Sequence, residues 1–320
     1  MTTRRNFWAM PLAPLRYAAV WSLYAFMRLL VLLPWRWQIA LTGFGGSLSR
    51  YFAGRRRRIV ATNLQLCFPH LDDTERKAIE KAHFHSLGAS LAEMAMGWFG
   101  PVDRIRDLVT IEGLENLSAA LDRGRGVILY SGHFTSFEIF FAALKPHVPR
   151  LSGMYKAQRN PIMNDIMTAG RLRSVDFLFS KDEVRGMLRE LKRNAVFWYA
   201  ADQSYGSKGA ALIPFFGEPA MTNTAISRIS RISGAAVIAF FPCRLADGSG
   251  YKLVLSKPLN GFPSDDPEAD TARLVASLED YVRECPEQYW WVHQRFKGRP
   301  PPLPDVYAKA ARNDPEARRN

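Results

Sequence analysis

Cysteine is scarce in this chain. Cys67, Cys243 and Cys285 are the only three in 320 residues, and they form neither a Cys-x-x-Cys pair nor a Cys/His cluster. That excludes a disulfide framework and the usual zinc spacings, and it predicts reduced thiols on a cytosol-facing domain. None of the three neighbours a histidine, so buried free thiol is the expected state rather than nucleophile. A P-loop, a His-Glu-x-x-His pair and a Gly-x-Ser-x-Gly elbow are also missing. Neither a metal nor a cofactor is expected. Acidic residues are few, 30 against 43 Lys and Arg, which leaves a formal charge of +13. An excess of this size predicts an acidic partner: anionic lipid, nucleic acid or an acidic protein.

What is abundant is apolar. With 48% hydrophobic residues the chain can bury the core of a catalytic domain and still carry an accessory segment. From Tyr17 to Pro34 the sequence is almost wholly apolar or aromatic, interrupted by Arg28. That is near the length that spans a bilayer, and Trp21, Tyr24, Trp35 and Trp37 suit its interfaces. Arg4 and Arg5 resemble the start of a signal peptide, but no small-residue cleavage site follows. A single membrane anchor, spanning or lying in the inner face, is therefore expected. Arg36, Arg50 and the run Arg55 to Arg58 make its C-terminal flank the more basic, which places the rest of the chain in the cytoplasm and offers cations to anionic head groups. Gly43-Phe44-Gly45-Gly46 lacks a preceding strand and reads as a flexible turn.

The pattern divides the chain into an anchor with its basic flank (1–50), a helical accessory region (51–110), an α/β domain (111–299) and a charged, proline-rich tail (300–320) expected to be loosely ordered. In the helical region Asp72-Asp73-Thr74-Glu75 opens a helix. His83 and His85, two apart, face different sides of that helix and cannot share a metal. Glu93 is either a buried polar contact or the solvent edge. From residue 111 strands alternate with helices: strands at Leu151–Tyr155, Val175–Phe179, Ala195–Tyr199, Ala211–Phe216, Ala236–Phe241 and Tyr251–Leu255, with helices at Pro161–Ala169, Asp182–Lys192, Asn223–Ile232 and Glu268–Glu284. This predicts an α/β fold with a mixed sheet flanked by helices.

The chain is organised around Gly126 to Glu138. Val127 to Tyr130 reads as a buried strand, Ser131-Gly132 break it, and Thr135 or Ser136 can cap the helix that follows. His133 thus sits where a strand ends and a helix begins, a common place for a site in α/β sheets. On one continuous helix His133 and Glu138 would point about 140° apart. With His133 in the turn, its ring can fold back on the Glu138 carboxylate, which would hold one ring nitrogen and leave the other as a base. Further polar groups follow the strands: Tyr155 to Asn160, Gly170 to Ser174 and Asp202 to Gly206. Their arginines suit phosphate or an oxyanion. Without an evident covalent nucleophile, His133 is expected to deprotonate a hydroxyl for direct attack on a carbonyl.

These blocks resemble those of the bacterial lipid A biosynthesis acyltransferases, within the lysophospholipid acyltransferase superfamily. His133 to Glu138 is similar to their His-x4-Asp/Glu motif. Asn63 to Pro69, Arg159-Asn160-Pro161, Gly170 to Ser174, Asp202 to Gly206, Pro214 to Gly217 and Pro286 to His293 resemble the family's other blocks in order. The resemblance implies an inner-membrane enzyme that moves a fatty acyl chain from acyl carrier protein to a hydroxyl of a lipid A precursor. On that footing His133 is the expected base and Glu138 its orienting acid. Arg171, with Arg159 or Arg173 as alternates, holds phosphate or oxyanion, Asp202 and Gln203 line the same crevice, and Phe134, Phe137 and Trp198 border an acyl groove. The rival expectations are another acceptor, such as a glycerophospholipid or ornithine lipid, and a membrane-tethered binder of anionic ligands. Nucleic acid is not an expected partner.

Overall fold

The computed structural model describes residues 18–180, 182–204, 206 and 209–308. Helices lead: α1 (Ala18–Leu30), α2 (Trp35–Ser49), α3 (Gly54–Cys67), α4 (Asp73–Phe99) and α5 (Val102–Leu108). The alternating part then runs through β1 (Val109–Glu112), α6 (Leu114–Leu121), β2 (Val127–Ser131), α7 (Phe137–Leu144), β3 (Leu151–Tyr155), α8 (Pro161–Arg171), β4 (Phe177–Ser180), α9 (Val184–Lys192) and β5 (Val196–Ala200). A hairpin of β6 (Ala210–Phe215) and β7 (Glu218–Asn223) follows, then α10 (Ala225–Ser233), β8 (Ala236–Arg244), β9 (Tyr251–Leu255) and α11 (Pro267–Glu284).

Seven strands form one mixed sheet in the order β1-β9-β8-β2-β5-β3-β4. Every pair is parallel except β8 with β9. The central strands β2 and β5 are buried on both faces, which is why each reads as an unbroken apolar run. Alternate residues of β2 feed two cores. Ile128 and Tyr130 pack with residues of α3, α10 and α11, while Val127 and Leu129 pack with α6 and α7.

Two strands escaped the sequence pattern. β1 is a four-residue edge strand, only half buried, too short to show a period. β7 pairs with β6 outside the main sheet, across a tight turn in which Phe216 and Gly217 both take positive φ (52° and 81°).

The expected N-terminal anchor is not one continuous helix among the described residues. Tyr17, Arg4 and Arg5 lie outside the described residues. From Ala18 the apolar stretch does not continue as one helix: α1 ends at Leu30, Val31 to Ser49 begins with a turn, and Pro34 precedes α2. Proline disfavours helix in the residue before it, so the break is local in origin. The 13 residues of α1 are about 20 Å long, short of the roughly 30 Å hydrocarbon core. Among the described residues no helix is long and apolar enough to cross a membrane.

The glycine-rich stretch is not a turn either. Gly43 and Gly46 lie inside α2, at its crossing with α4. A Cβ on Gly46 would stand 2.3 Å from the Phe84 carbonyl oxygen, and one on Gly88 would stand 2.2 Å from that of Thr42. The glycines let two helix backbones touch. The four arginines 55–58 are spread around α3 and partly committed: Arg56 donates to the Val292 carbonyl at 3.0 Å and Arg57 to Glu80 at 2.8 Å. Part of the tail is packed. Tyr307 is buried, and its hydroxyl donates to Asn63 and accepts from the Phe296 N–H. Residues 309–320 lie outside the described residues.

Candidate active site

β2 and β5 run parallel in a register that sets Ser131 beside Ala200. Two residues beyond each strand end, the register is extended by side chains. The His133 backbone N–H donates to Asp202 Oδ2 at 2.8 Å, and His133 Nδ1 meets Asp202 Oδ1 at 2.5 Å. Asp202 is buried at 4% exposure, whereas the His133 side chain keeps 27%. The pair therefore consists of a sequestered carboxylate and a ring open to a ligand. Burial opposes the Asp202 charge. The charge and hydrogen bonds of His133, helped by Arg295, outweigh it and hold the carboxyl well below the usual carboxylate range. With Nδ1–H directed at that carboxylate, Nε2 is the nitrogen left for a substrate. Gly132 allows this approach, since a Cβ there would meet Leu278 at 2.8 Å and Asp202 Oδ2 at 3.2 Å.

Glu138 does not hold His133. Its carboxylate accepts from Arg171 Nε at 2.9 Å, from Arg171 Nη2, and from the Trp98 indole N–H at 3.1 Å. The residue begins α7 and turns toward α4 and α8, away from the sheet rim where Asp202 lies. The contact with His133 expected of Glu138 is made instead by Asp202, a residue expected to line the crevice.

Arg171 is thereby fixed at 16% side-chain exposure, with its guanidinium 5.6 Å from the centre of the Phe137 ring. It borders a narrow cleft with Phe137, Phe141, Met154, Leu178 and Trp198. Trp198 stacks on Phe137 at 5.4 Å between centroids and stands edge-on to His133 at 6.2 Å. Trp198 thus links the imidazole to the aromatic side chains that flank the guanidinium. Phe134, by contrast, is fully buried against Phe241 and Tyr289 and belongs to the core.

The other arginines separate. Arg173 donates to the carbonyls of Trp98 and Gly100, closing the C-terminus of α4. Arg159 is exposed between β3 and α8, as is Lys156. Gln203 is exposed beside Asp202, and Tyr205 of the same block lies outside the described residues.

The segment after α11 clasps the turn from the far side. The Thr135 N–H donates to the Gln288 carbonyl at 2.8 Å, and the Trp290 N–H donates to the His133 carbonyl at 2.9 Å. Asn63 holds that segment by donating to the carbonyls of Trp291 (2.7 Å) and His293 (2.8 Å), and His83 Nδ1 holds it through the Glu287 carbonyl at 3.0 Å. Glu93 proves to be a buried contact: it accepts from Arg244 Nε at 2.6 Å and from the Tyr251 hydroxyl at 2.7 Å. Arg244 in turn reaches Ser86, which is hydrogen-bonded to Thr135. The three cysteines are free thiols.

A family profile described as bacterial lipid A biosynthesis acyltransferase matches residues 9–298. The chain is 35% identical over 294 residues to the lipid A biosynthesis lauroyltransferase of Escherichia coli K12, covering 91% of this chain and 95% of that one. It is 36% identical over 286 residues to the palmitoleoyltransferase of the same strain, covering 89% and 93%. Its identity to the myristoyltransferase of that strain is 26%, covering 89% of each. The matched span contains the His133 turn, the Arg171 helix and the segment that clasps them, and the chain belongs to the bacterial lipid A biosynthesis acyltransferases, as an acyltransferase enzyme.

Proposed function

We propose that this enzyme transfers a fatty acyl chain from acyl carrier protein to a hydroxyl of a lipid A precursor of the Kdo2-lipid IVA type, with His133 as general base. The observation that carries the reading is the His133–Asp202 pair, in which one ring nitrogen is bonded to a buried carboxylate and the other is free. Nε2 takes the proton of the acceptor hydroxyl, and Asp202 steadies the imidazolium that results. The alkoxide adds to the thioester carbonyl, and collapse expels the carrier thiolate, which recovers the proton from His133. Arg171, aligned by Glu138, supplies positive charge to a phosphate or the developing oxyanion. The exposed Arg159 and Lys156 extend that charge to the rim, and the cleft beside Trp198 receives the start of the acyl chain. An acidic carrier and a phosphorylated lipid both complement the net charge of +13.

The same reading sets the enzyme on the inner membrane, lying in its face. Trp37, Leu41, Phe44 and Leu48 are all at least half exposed and recur at intervals of four, three and four along α2, which puts them on one side of the helix. Leu29 and Leu32 at the end of α1, and Tyr51 and Phe52 after α2, extend the apolar surface. An apolar helical face with a basic flank suits an interfacial position.

The test is transfer by the purified full-length protein, offered lauroyl, palmitoleoyl and myristoyl carrier protein with lipid A precursor, glycerophospholipid or ornithine lipid. Identity to the lauroyl- and palmitoleoyltransferases exceeds that to the myristoyltransferase, so the first two donors are expected to lead. Mass spectrometry should find one added acyl chain on the lipid A precursor, and His133→Ala should abolish it. Turnover undiminished in that variant, or acylation confined to another acceptor, would refute the respective part.

A further inference from the structure

The loop that delivers Asp202 to His133 is stitched to the segment following α11 at two points. The Ser204 backbone N–H donates to His293 Nε2 at 3.2 Å, and the Ser204 hydroxyl donates to the Lys297 carbonyl at 2.5 Å. The same segment grips the other half of the pair, through the bonds from Thr135 N–H to Gln288 and from Trp290 N–H to the His133 carbonyl. It is itself anchored on α3, where Asn63 donates to the Trp291 and His293 carbonyls and Arg56 to that of Val292. One short segment thus touches both strand-end loops and is tied to a helix outside the sheet.

We propose that His293 is a positioning residue for the acyl transfer, holding the Asp202 loop in register with the His133 turn through its Nε2. The inference rests on the reading of His133 as base. Accepting from Ser204 requires Nε2 to be unprotonated, so the ring is the neutral tautomer with its proton on Nδ1. Burial favours that form and takes the ring down to about 4, so the contact persists across the working range of the enzyme. Asp202 is two residues from Ser204. Releasing the loop by a fraction of an ångström lengthens the carboxylate–imidazole contact, and misplacement on that scale lowers turnover while leaving substrate contacts in place.

The experiment uses the full-length enzyme with an acyl carrier protein donor and a lipid A precursor. It compares His293→Met with His293→Gln, side chains of similar size of which only glutamine offers a strong acceptor to the Ser204 N–H. His293→Met should lower kcat by about 10- to 100-fold with KM for either substrate nearly unchanged. His293→Gln should recover most of the loss. Ser204→Ala removes the second stitch at a site where folding is not at stake, and should lower kcat in the same direction by a smaller factor. Wild-type kcat in His293→Met would overturn the inference, as would equal losses in the Met and Gln variants. Wild-type kcat in Ser204→Ala overturns it where His293→Met does not fold. His133→Ala is assayed alongside. If that variant is inactive, the results at 293 judge His293 alone; if it turns over normally, the reading of the base fails and this inference with it.

Discussion

Glu138, five residues along the chain from His133, forms a buried ion pair with Arg171, and neither partner touches the imidazole. Glu138 is 5% exposed and its remaining acceptor capacity goes to the Trp98 indole. Removing the carboxylate leaves a largely buried guanidinium without a counter-charge, a change that typically costs about 3–5 kcal/mol. Glu138→Ala should therefore lose activity together with stability, which thermal melting will show. A Glu138→Gln, Arg171→Met double variant should regain much of the stability and none of the turnover.

Asp202→Asn should behave in the opposite way. The amide keeps the shape of the pair but can donate to Nδ1, which favours the tautomer with its proton on Nε2 and removes the base. A loss in kcat of about 10³- to 10⁴-fold is expected at little cost to folding, by analogy with the loss that follows when a catalytic histidine is locked in the wrong tautomer. Steady-state kinetics and circular dichroism of the same preparation decide it. In the native enzyme Asp202 is held well below the ordinary carboxylate range, so protonation of Asp202 does not set the acid limb of activity.

His83 governs a different pH response. It is fully buried in α4, and burial lowers its pKa from 6.5 to about 4, against a smaller opposing contribution from the Glu287 carbonyl. Between those values the unfolded chain binds a proton that the folded chain refuses. Stability is thus complete above pH 6.5 and falls as pH drops toward 4, by about 3 kcal/mol for this one group. Melting temperature should decline across that window in the wild type and decline less steeply in His83→Gln.

The exposed side of α2 predicts a surface effect. Phe44→Asp and Trp37→Glu alter side chains that are 67% and 70% exposed, so the melting temperature should hardly change. Burial of a large apolar side chain in lipid stabilises by about 1.5–3 kcal/mol, so each variant should bind anionic vesicles roughly tenfold or more weakly in co-sedimentation. Unchanged binding in both would remove α2 from the membrane contact.

The strand–turn–helix around His133 was legible because a central parallel strand must be apolar on both faces, and Val127 to Tyr130 is such a run. The partner of His133 was harder to see, since Asp202 lies 69 residues away and meets it only through strand pairing. A signal existed nonetheless. His133 and Asp202 each stand three residues beyond the end of an expected strand, at Tyr130 and Tyr199, and adjacent parallel strands in register bring such positions together. Sequence proximity favoured Glu138, but α7 carries that residue away from the rim. The Gly43–Gly46 stretch misled for a related reason: local composition reads glycine as freedom, whereas the α2–α4 crossing uses it for contact.

That crossing has a consequence for how the enzyme meets its lipid. With Gly46 set against Phe84 and Gly88 against Thr42, α2 rests backbone to backbone on α4, so the two helices hold a fixed close spacing. The same α4 supplies Trp98 to Glu138, His83 to the clasping segment and Ser86 to Thr135. If α2 lies in the interface, as proposed, the altitude of the imidazole above the acyl chains is a built-in dimension of the molecule. On that reading a hydroxyl at one depth of a lipid would be presented to His133, and a hydroxyl at another would be passed over.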